Sequence, residues 1–449
     1  MQSLCSDRVM KQKRVKIITL GCPKNEVDTD AIKWHLLQSG YELINDSRES
    51  DIFVVNTCGF IDQAKAESLE EILNLINLKK TNKNKKLIVA GCLAQRYPGQ
   101  LWKEIPEIDG ILGISEIKNI SRMCDEIGRD KRICLISPPL LKENEETIKR
   151  EVSDLPFAYL RIADGCNNCC TYCSIPLIRG KYRSRSIESL VSEAEFLTKK
   201  GVKEINLIAQ DTTLYGTDVY GKSHLPQLLT PLTEIPDIKW IRILYTHPAH
   251  YSDELIDTIA SNPKICKYLD IPLQHISDRL LTFMNRRVKR KEILNLLEKL
   301  RKKIPDLTLR TTFLVGFPGE TESDFNQLLD FIEQIRFDKV GIFTYSREED
   351  TKAYDFKHQI PSRVKQERLD RLLLLQQQIS LEKNKSKIGK KMTMLVEGKS
   401  EENCFFGRSQ AEAPEVDGLI YIKGKKLNIG NFVKIEIAEA LDYDLIGEI

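Results

Sequence analysis

Residues 164–176 read DGCNNCCTYCSIP and place four cysteines, Cys166, Cys169, Cys170 and Cys173, within eight positions. Read as Cys166, three residues, Cys170, two residues, Cys173, the loop offers three closely spaced thiolates. A cubane iron–sulfur cluster takes four thiolates, so three from one loop leave one iron without a protein ligand. An open coordination position is what a metal centre needs in order to bind a substrate. The competing reading is structural zinc, held by Cys166, Cys169 or Cys170, and Cys173, with His247, His250 or His275 as a distant fourth ligand.

A second, sparser group recurs at about 35-residue intervals: Cys22, Cys58 and Cys92. Each directly follows an apolar, strand-like run: VKIITLG, DIFVVNT or KLIVAG. In a parallel sheet all strands point one way, and residues just past their carboxyl ends gather along the edge where such folds bind ligands. The spacing therefore predicts that the three thiols lie near one another.

The elements that must position these groups are legible as three segments. Residues 15–135 alternate strand-like runs with amphipathic helical stretches, the pattern of a parallel α/β sheet. Residues 1–14 read as a disordered tail. Residues 136–156, with Pro138, Pro139 and the charged run KENEETIKREVSD, read as a linker. Residues 157–380 contain six more strand candidates, AYLRIADG, EINLIAQD, WIRILYT, KYLDIPLQ, TLRTTFLVG and KVGIFTYS, followed by a highly charged helix. Six βα units fit a partial, TIM-like (β/α)6 barrel, in which reacting groups sit at the carboxyl ends of the strands. The four-cysteine loop follows the first of those strands. Residues 383–449 switch to short alternating strands with glycine turns, the pattern of a small antiparallel barrel.

Composition sets limits. The chain has 449 residues, 41% hydrophobic and 30% charged, with a formal net charge of +3. That is ordinary globular composition, too weakly basic to argue for nucleic-acid binding by itself. No apolar run approaches the roughly 20 residues of a spanning helix, and the opening MQSLCSDRVMKQKRVKIITLGC has no apolar signal core. A cytoplasmic, membrane-free protein is expected. Twelve cysteines in a reducing compartment are read as metal or catalytic chemistry before disulfides. Cys169, Cys5, Cys124, Cys134, Cys266 and Cys404 carry no assigned role beyond packing.

The loop CNNCCTYC resembles that of the radical S-adenosylmethionine enzymes, whose three-cysteine loop follows the first strand of a partial barrel. The resemblance implies Cys166, Cys170 and Cys173 as ligands of a 4Fe–4S cluster whose open iron binds S-adenosylmethionine. It implies Tyr172 packed over the cluster or the adenine, and Cys169 as a bystander. Gln210 and Asp211 in LIAQDTTLYG, and Gly316 and Gly319 in TTFLVGFPGETESDF, fall where such enzymes contact the cofactor. LQHISDRLLTFMNRR and FTYSREEDTKAY also resemble motifs of this group, without a role for their individual residues.

Domain order together with Cys22, Cys58 and Cys92 resembles the methylthiotransferase branch, in which the N-terminal domain holds an auxiliary 4Fe–4S cluster and the terminal barrel is a TRAM domain. The resemblance runs from Val15 to Ile449. It implies two 4Fe–4S clusters, two S-adenosylmethionine molecules per turnover, a sulfur donor, and an electron donor such as flavodoxin or ferredoxin. Members modify either adenosine of transfer RNA or an aspartate of small-subunit ribosomal protein S twelve. From Met392 to Ile449 six Lys and Arg stand against eleven Asp and Glu, a net of −5. That balance repels a phosphate backbone and attracts a basic protein. LGCPKNEVDTD, LIAQDTTLYG and GRSQAEAPEVDGLIYI also resemble the aspartate-modifying members. Glu412, Glu415 and Asp417 are then expected to form the docking edge for the basic substrate.

Overall fold

In the computed structural model, residues 12–82, 84–139, 149–401, 403–424 and 426–449 are described. The expected tail lies outside them apart from residues 12–14, as does the middle of the expected linker. Two compact units result. The first holds the described residues up to 139, with 149–151 and Leu177–Arg179.

In the first unit, β1 (Arg14–Thr19), β2 (Glu42–Leu43), β3 (Ile52–Thr57), β4 (Lys86–Gly91), β5 (Gly110–Leu112) and β6 (Ile133–Leu135) form one parallel sheet in the order β2-β1-β3-β4-β5-β6. Every residue of β3 is buried, as a parallel strand covered on both faces requires. Arg14, the last residue of the expected tail, already belongs to β1. Helix α1 (Pro23–Gln38) starts with Pro23 in the first turn, where a missing N–H costs nothing, and Cys22 occupies its N-cap.

The second unit contains β7 (Phe157–Arg161), a short antiparallel pair β8 (Ala163–Asp164) and β9 (Arg183–Ser184), then β10 (Glu204–Ile208), β11 (Trp240–Ile243), β12 (Ile265–Asp270), β13 (Thr308–Val315) and β14 (Lys339–Thr344). Six of these, all but β8 and β9, pair parallel in chain order without closing, which is the partial barrel read from the sequence. The helix Ser362–Lys385 matches the charged stretch. A closed barrel follows, built from β15 (Lys391–Glu401), β16 (Cys404–Arg408), β17 (Ile420–Lys423), β18 (Phe432–Ala440) and β19 (Leu445–Glu448). Strands β16 and β19 are only five and four residues long.

The two barrels of this unit are joined by a buried charge network. Arg408 reaches Glu204 at 2.7 Å and also Glu397, while Arg242 meets the same Glu204 at 2.8 Å and the carbonyl of Gln410 at 2.7 Å. Arg242, Arg408 and Glu204 have no solvent exposure. A buried charge must be paired, and here Glu204 and Glu397 meet the two buried arginines at the seam.

This seam corrects the expected docking edge. Glu412 is buried, accepting from Ser409 N (3.1 Å) and Ser409 Oγ (2.6 Å) with Lys387 at 3.5 Å. The Asp417 carboxylate is buried against Tyr268 Oη (2.7 Å) and Arg310 (3.8 Å). Glu415 is an exposed residue, yet its carboxylate accepts from Tyr159 Oη at 2.8 Å. Sequence adjacency suggested a surface acid patch; tertiary packing turns these carboxylates back onto the protein's own tyrosines and cations.

One consequence is measurable. Burial works against the Glu412 charge, but Lys387, Lys339 and the Ser409 hydrogen bonds outweigh it and pull its pKa from 4.5 to about 2. A depressed carboxyl stabilises the fold above its unfolded pKa, and that stabilisation is lost as pH falls through the folded value. Glu412 therefore contributes about 3 kcal/mol at neutral pH, lost between about pH 4.5 and 2. In urea titrations, Glu412→Gln should unfold earlier than the parent at pH 7, and the gap should narrow through that acid window. A gap independent of pH would contradict the assignment.

Candidate metal and cofactor site

The four-cysteine loop is tied at its base by the β8–β9 pair, Ala163 opposite Ser184 and Asp164 opposite Arg183. Gly165 follows with φ +75°, and a Cβ there would sit 2.1 Å from the Lys181 carbonyl, so only glycine fits. Cys166 N donates to Gly180 O at 3.1 Å, and Cys173 N to Cys170 O at 3.1 Å. The loop thus curls so that Cys166, Cys170 and Cys173 lie in one another's electrostatic reach. Burial pushes the Cys166 thiol up to about 11 and drives Cys173 higher still, with the neighbouring Cys170 adding to both. Such thiols stay protonated and idle at neutral pH unless a metal displaces the proton, so the donor set fits a thiolate-bound centre. Cys169 is exposed, at φ +51°, with its carbonyl accepting from Asn285 Nδ2 at 2.9 Å.

Two neighbours shape this pocket. Tyr172 hydrogen-bonds Cys170, and burial with that thiol's charge raises its phenol well above the ordinary value. Its ring packs edge-on against Phe317 at 6.4 Å, beside Leu280, Met284 and Tyr345. Arg286 is buried, donates to the Pro272 carbonyl, and brings Nη1 to 3.9 Å from Cys170 Sγ.

At the carboxyl end of β10, Gln210 and Asp211 behave differently. Both polar atoms of the Gln210 amide are buried without a partner among the described residues. An unmatched buried amide costs a few kcal/mol, and a ligand that hydrogen-bonds to it removes that cost. Asp211 is instead occupied: its carboxylate accepts from Thr213 Oγ1, from His250 Nδ1 at 2.9 Å and from Asn168 Nδ2 at 2.8 Å, while Tyr182 Oη donates to its carbonyl at 2.8 Å. Asp211 pins the cysteine loop through Asn168. Burial opposes its charge, yet His250 and Thr213 hold its carboxyl below the ordinary value.

Among the described residues, the one group of three whose ligand atoms lie within 4.8 Å of one another is Asp211, His247 and His250. Its atoms are already engaged, since His247 Nδ1 accepts from Ala249 N at 3.2 Å and the two imidazoles stack at 4.6 Å. Burial and the nearby Arg286 lower His247 to about 2, so it is neutral. His275 is buried between Ser277 N (3.0 Å) and Glu320 (3.3 Å). Neither cysteine triad falls within that 4.8 Å limit, whereas a zinc–thiolate tetrahedron has edges of about 3.8 Å.

Gly316 and Gly319 both have positive φ, +73° and +79°. The close approach at Gly316 is to the Lys365 side chain, 2.3 Å from a built Cβ, while Gly319 faces open space apart from Arg279 at 3.9 Å. They shape the turn after β13, and Glu320 in that turn is anchored by Arg368 at 2.9 Å.

In the first unit the three strand-end thiols do converge. Cys22 and Cys58 each act electrostatically on Cys92, and Cys22 acts on Cys58. A Cβ on Gly21 would lie 2.8 Å from Cys58 Cβ, and one on Gly59 would lie 2.8 Å from Leu93 Cα, so both glycines permit the close approach. Burial raises Cys58 to about 11 and Cys92 to about 12, with Arg179 the largest opposing influence on Cys92.

Asn25, Asp28, Arg179 and Arg286 were not singled out from sequence. Asn25 and Asp28 stand inside the quoted LGCPKNEVDTD motif, and Arg286 inside LQHISDRLLTFMNRR, but a polar residue on a helix or just past one is no local signal of a site. Arg179 had none at all.

Residues 160–332 match the Radical SAM superfamily, residues 14–113 the Uncharacterized protein family UPF0004, and residues 388–449 the TRAM domain. The chain is 46% identical over 437 residues to the "Ribosomal protein uS12 methylthiotransferase RimO" of Clostridioides difficile, covering 97% of this chain and 98% of that one. Relatives of the same name from Acetivibrio thermocellus (47% over 448 residues, covering 98% of each chain) and Caldanaerobacter subterraneus (48% over 438 residues, covering 97% and 100%) are similar. Among solved structures, the radical S-adenosylmethionine methyltransferase TsrM from Kitasatospora setae, with cobalamin and a [4Fe-4S] cluster bound, has a TM-score of 0.57 at 14% identity, covering 76% of this chain and 74% of that one. At that identity the likeness speaks to the fold.

Proposed function

The chain belongs to the ribosomal protein uS12 methylthiotransferase RimO family, a branch of the radical S-adenosylmethionine enzymes, and on that premise we propose that it inserts a methylthio group at the β-carbon of an aspartate of ribosomal protein uS12. The observation that carries this reading is likeness at 46–48% over nearly the whole of both chains, including both cysteine-bearing domains. The family implies S-adenosylmethionine and a 4Fe–4S cluster as cofactors.

Cys166, Cys170 and Cys173 would hold the cluster of the barrel, and Cys22, Cys58 and Cys92 a second, auxiliary cluster. When bound, the clusters with two S-adenosylmethionine molecules per turnover supply the methyl group, the inserted sulfur and the radical that activates an unactivated C–H bond. The chain's own groups then bind and orient. Gln210 offers its unmatched amide to the cofactor, Asp211 holds the cysteine loop through Asn168, and Tyr172 and Arg286 set the environment of Cys170. Gly316 makes room for the Lys365 side chain, and Gly319 leaves its part of the turn after β13 open where the cofactor would lie. The reaction needs a reductant such as flavodoxin or ferredoxin and a sulfur donor, in the cytoplasm. No helix among the described residues is long and apolar enough to cross a membrane.

The test is mass spectrometry of uS12 and of digested transfer RNA from cells with and without the gene. Loss of a methylthio mark from a uS12 aspartate alone is the expected result. Loss from adenosine instead would overturn the substrate while leaving the chemistry.

A further inference from the structure

Among the described residues, Arg286 is a buried cation with no carboxylate at ion-pair distance. It is 6% exposed, its Nη2 donates to the Pro272 carbonyl, its Nη1 stands 3.9 Å from Cys170 Sγ, and its Nε is buried with no hydrogen-bond partner. Every other buried arginine among those residues meets a carboxylate: Arg150 meets Asp30, Arg161 Asp164, Arg179 Asp28, Arg368 Glu320, and Arg242 and Arg408 share Glu204. The field of Asp211 reaches Arg286, but that carboxylate is already held by Thr213, His250 and Asn168. Arginine does not release its proton, and a buried charge persists where an opposite charge answers it. The anion due at this place is the sulfur that Arg286 already faces.

The backbone is bent to deliver the guanidinium there. Thr171 N donates to Met284 O at 3.1 Å, Thr171 Oγ1 to Phe283 O at 2.8 Å, and Asn285 Nδ2 to Cys169 O at 2.9 Å. Residues 283–285 are thus laced to the cysteine loop immediately before Arg286. Asn285 and Arg287, on either side of it, both take positive φ, +57° and +47°. Residues with a side chain rarely adopt that conformation, and it persists where surrounding contacts impose it. The three sulfurs are also treated differently. Cys166 accepts from Asn168 N at 3.5 Å and Cys173 from Ile175 N, whereas Cys170 receives two side chains, the Tyr172 phenol and the Arg286 guanidinium.

Reduction of a thiolate-bound iron–sulfur centre takes one electron from the reductant and no proton, so the site gains a negative charge. Net charge and hydrogen bonds to the sulfurs set how readily that happens. We propose that Arg286 is the counter-charge of the Cys166–Cys170–Cys173 centre and that, with the neutral donor Tyr172, it raises the centre's reduction potential into the reach of a protein reductant. The proposal rests on the reading that this triad holds the radical-generating 4Fe–4S cluster. Arg286 acts through its charge on Cys170 and forms no covalent bond. In a buried site that charge is little screened by salt.

The experiment uses the full chain, anaerobically reconstituted with iron and sulfide, as wild type, Arg286→Gln, Arg286→Lys, Tyr172→Phe and the Cys166/Cys170/Cys173 triple alanine variant. Iron is counted, and midpoint potentials are read by electron paramagnetic resonance without S-adenosylmethionine. The signal missing from the triple variant is that of the barrel centre. Arg286→Gln should keep wild-type iron and shift that midpoint to more negative potential. Tyr172→Phe should shift it the same way by less, and Arg286→Lys should fall between the Gln variant and wild type. S-adenosylmethionine affinity, followed by its effect on the same signal, tests the rival anion for Arg286, the carboxylate of the cofactor. An unchanged midpoint in Arg286→Gln overturns the proposal; if affinity is also weakened about tenfold, the scale of losing one charge-assisted hydrogen bond, Arg286 belongs to that carboxylate instead. If Arg286→Gln loses the iron of the barrel centre, the Lys variant decides: iron retained with a midpoint at or just below wild type supports the charge role, and iron lost there too overturns it. The underlying cluster reading fails separately, if the triple alanine variant holds as much iron as wild type.

Discussion

Replacing Cys166, Cys170 and Cys173 together with alanine should leave a protein that forms no 5′-deoxyadenosine but still transfers the methyl group of S-adenosylmethionine to sulfur. The three thiols are the donors of a loop pinned by β8–β9, by Asn168 on Asp211 and by Gly165, and the substitution removes the donors without touching those supports. Iron per chain should fall from about eight to about four, because a cubane centre carries four irons. Cys169→Ala is the internal control. Its side chain is exposed and the backbone contact to Asn285 uses the carbonyl, so iron and cleavage should both stay at wild-type levels. Liquid chromatography of the nucleoside products under reducing conditions reads the outcome. Continued 5′-deoxyadenosine formation in the triple variant would refute the ligand assignment.

The second large effect lies far from the thiols in sequence. Arg408→Met should destabilise the second unit by about 3–5 kcal/mol, the scale of breaking a buried ion pair from one side. Arg408 satisfies Glu204, Glu397 and the Glu412 carbonyl together, and its removal strands the buried Glu397 carboxylate and leaves Glu204 with half its partners. Arg242 remains on Glu204 but makes no hydrogen bond to Glu397. Neutralising the stranded groups as well, with Glu204→Gln and Glu397→Gln, should recover much of the loss, since the penalty comes from uncompensated charge rather than from missing contacts. Urea unfolding followed by intrinsic fluorescence measures both variants. If Arg408→Met unfolds at the wild-type midpoint, the network does not hold the two barrels together.

The same network explains why the acidic terminal barrel does not present Glu412 and Asp417 as an open docking edge. Glu397, Glu412 and Asp417 count toward its net charge of −5, yet each is committed to a cation within the unit. A charge count cannot register a partner, such as Arg310 for Asp417, more than a hundred residues away in the chain. Reversing Glu412, Glu415 and Asp417 would therefore disturb the seam before it disturbed any docking.

Much of the architecture was legible beforehand because it rests on local periodicity. The apolar runs before Cys22, Cys58 and Cys92 are parallel strands, the latter two buried, and the six runs from Phe157 onward pair in chain order, as uninterrupted hydrophobic segments between helices must. The cysteine positions were equally readable, since thiolate spacing in a loop and the carboxyl edge of a parallel sheet are both consequences of linear order. What the sequence by itself determined, then, was which thiols could meet and on what scaffold. Only the tertiary structure decided what surrounds them: that Asp211 is spent on Asn168, His250 and Thr213 while Gln210 stays unmatched, that Arg286 stands beside Cys170, and that Arg179 is clamped by Asp28 and Asn25 against Cys92. Burial and hydrogen-bond partnership belong to pairs of residues distant in the chain, and no pattern of one strand or one helix carries that information.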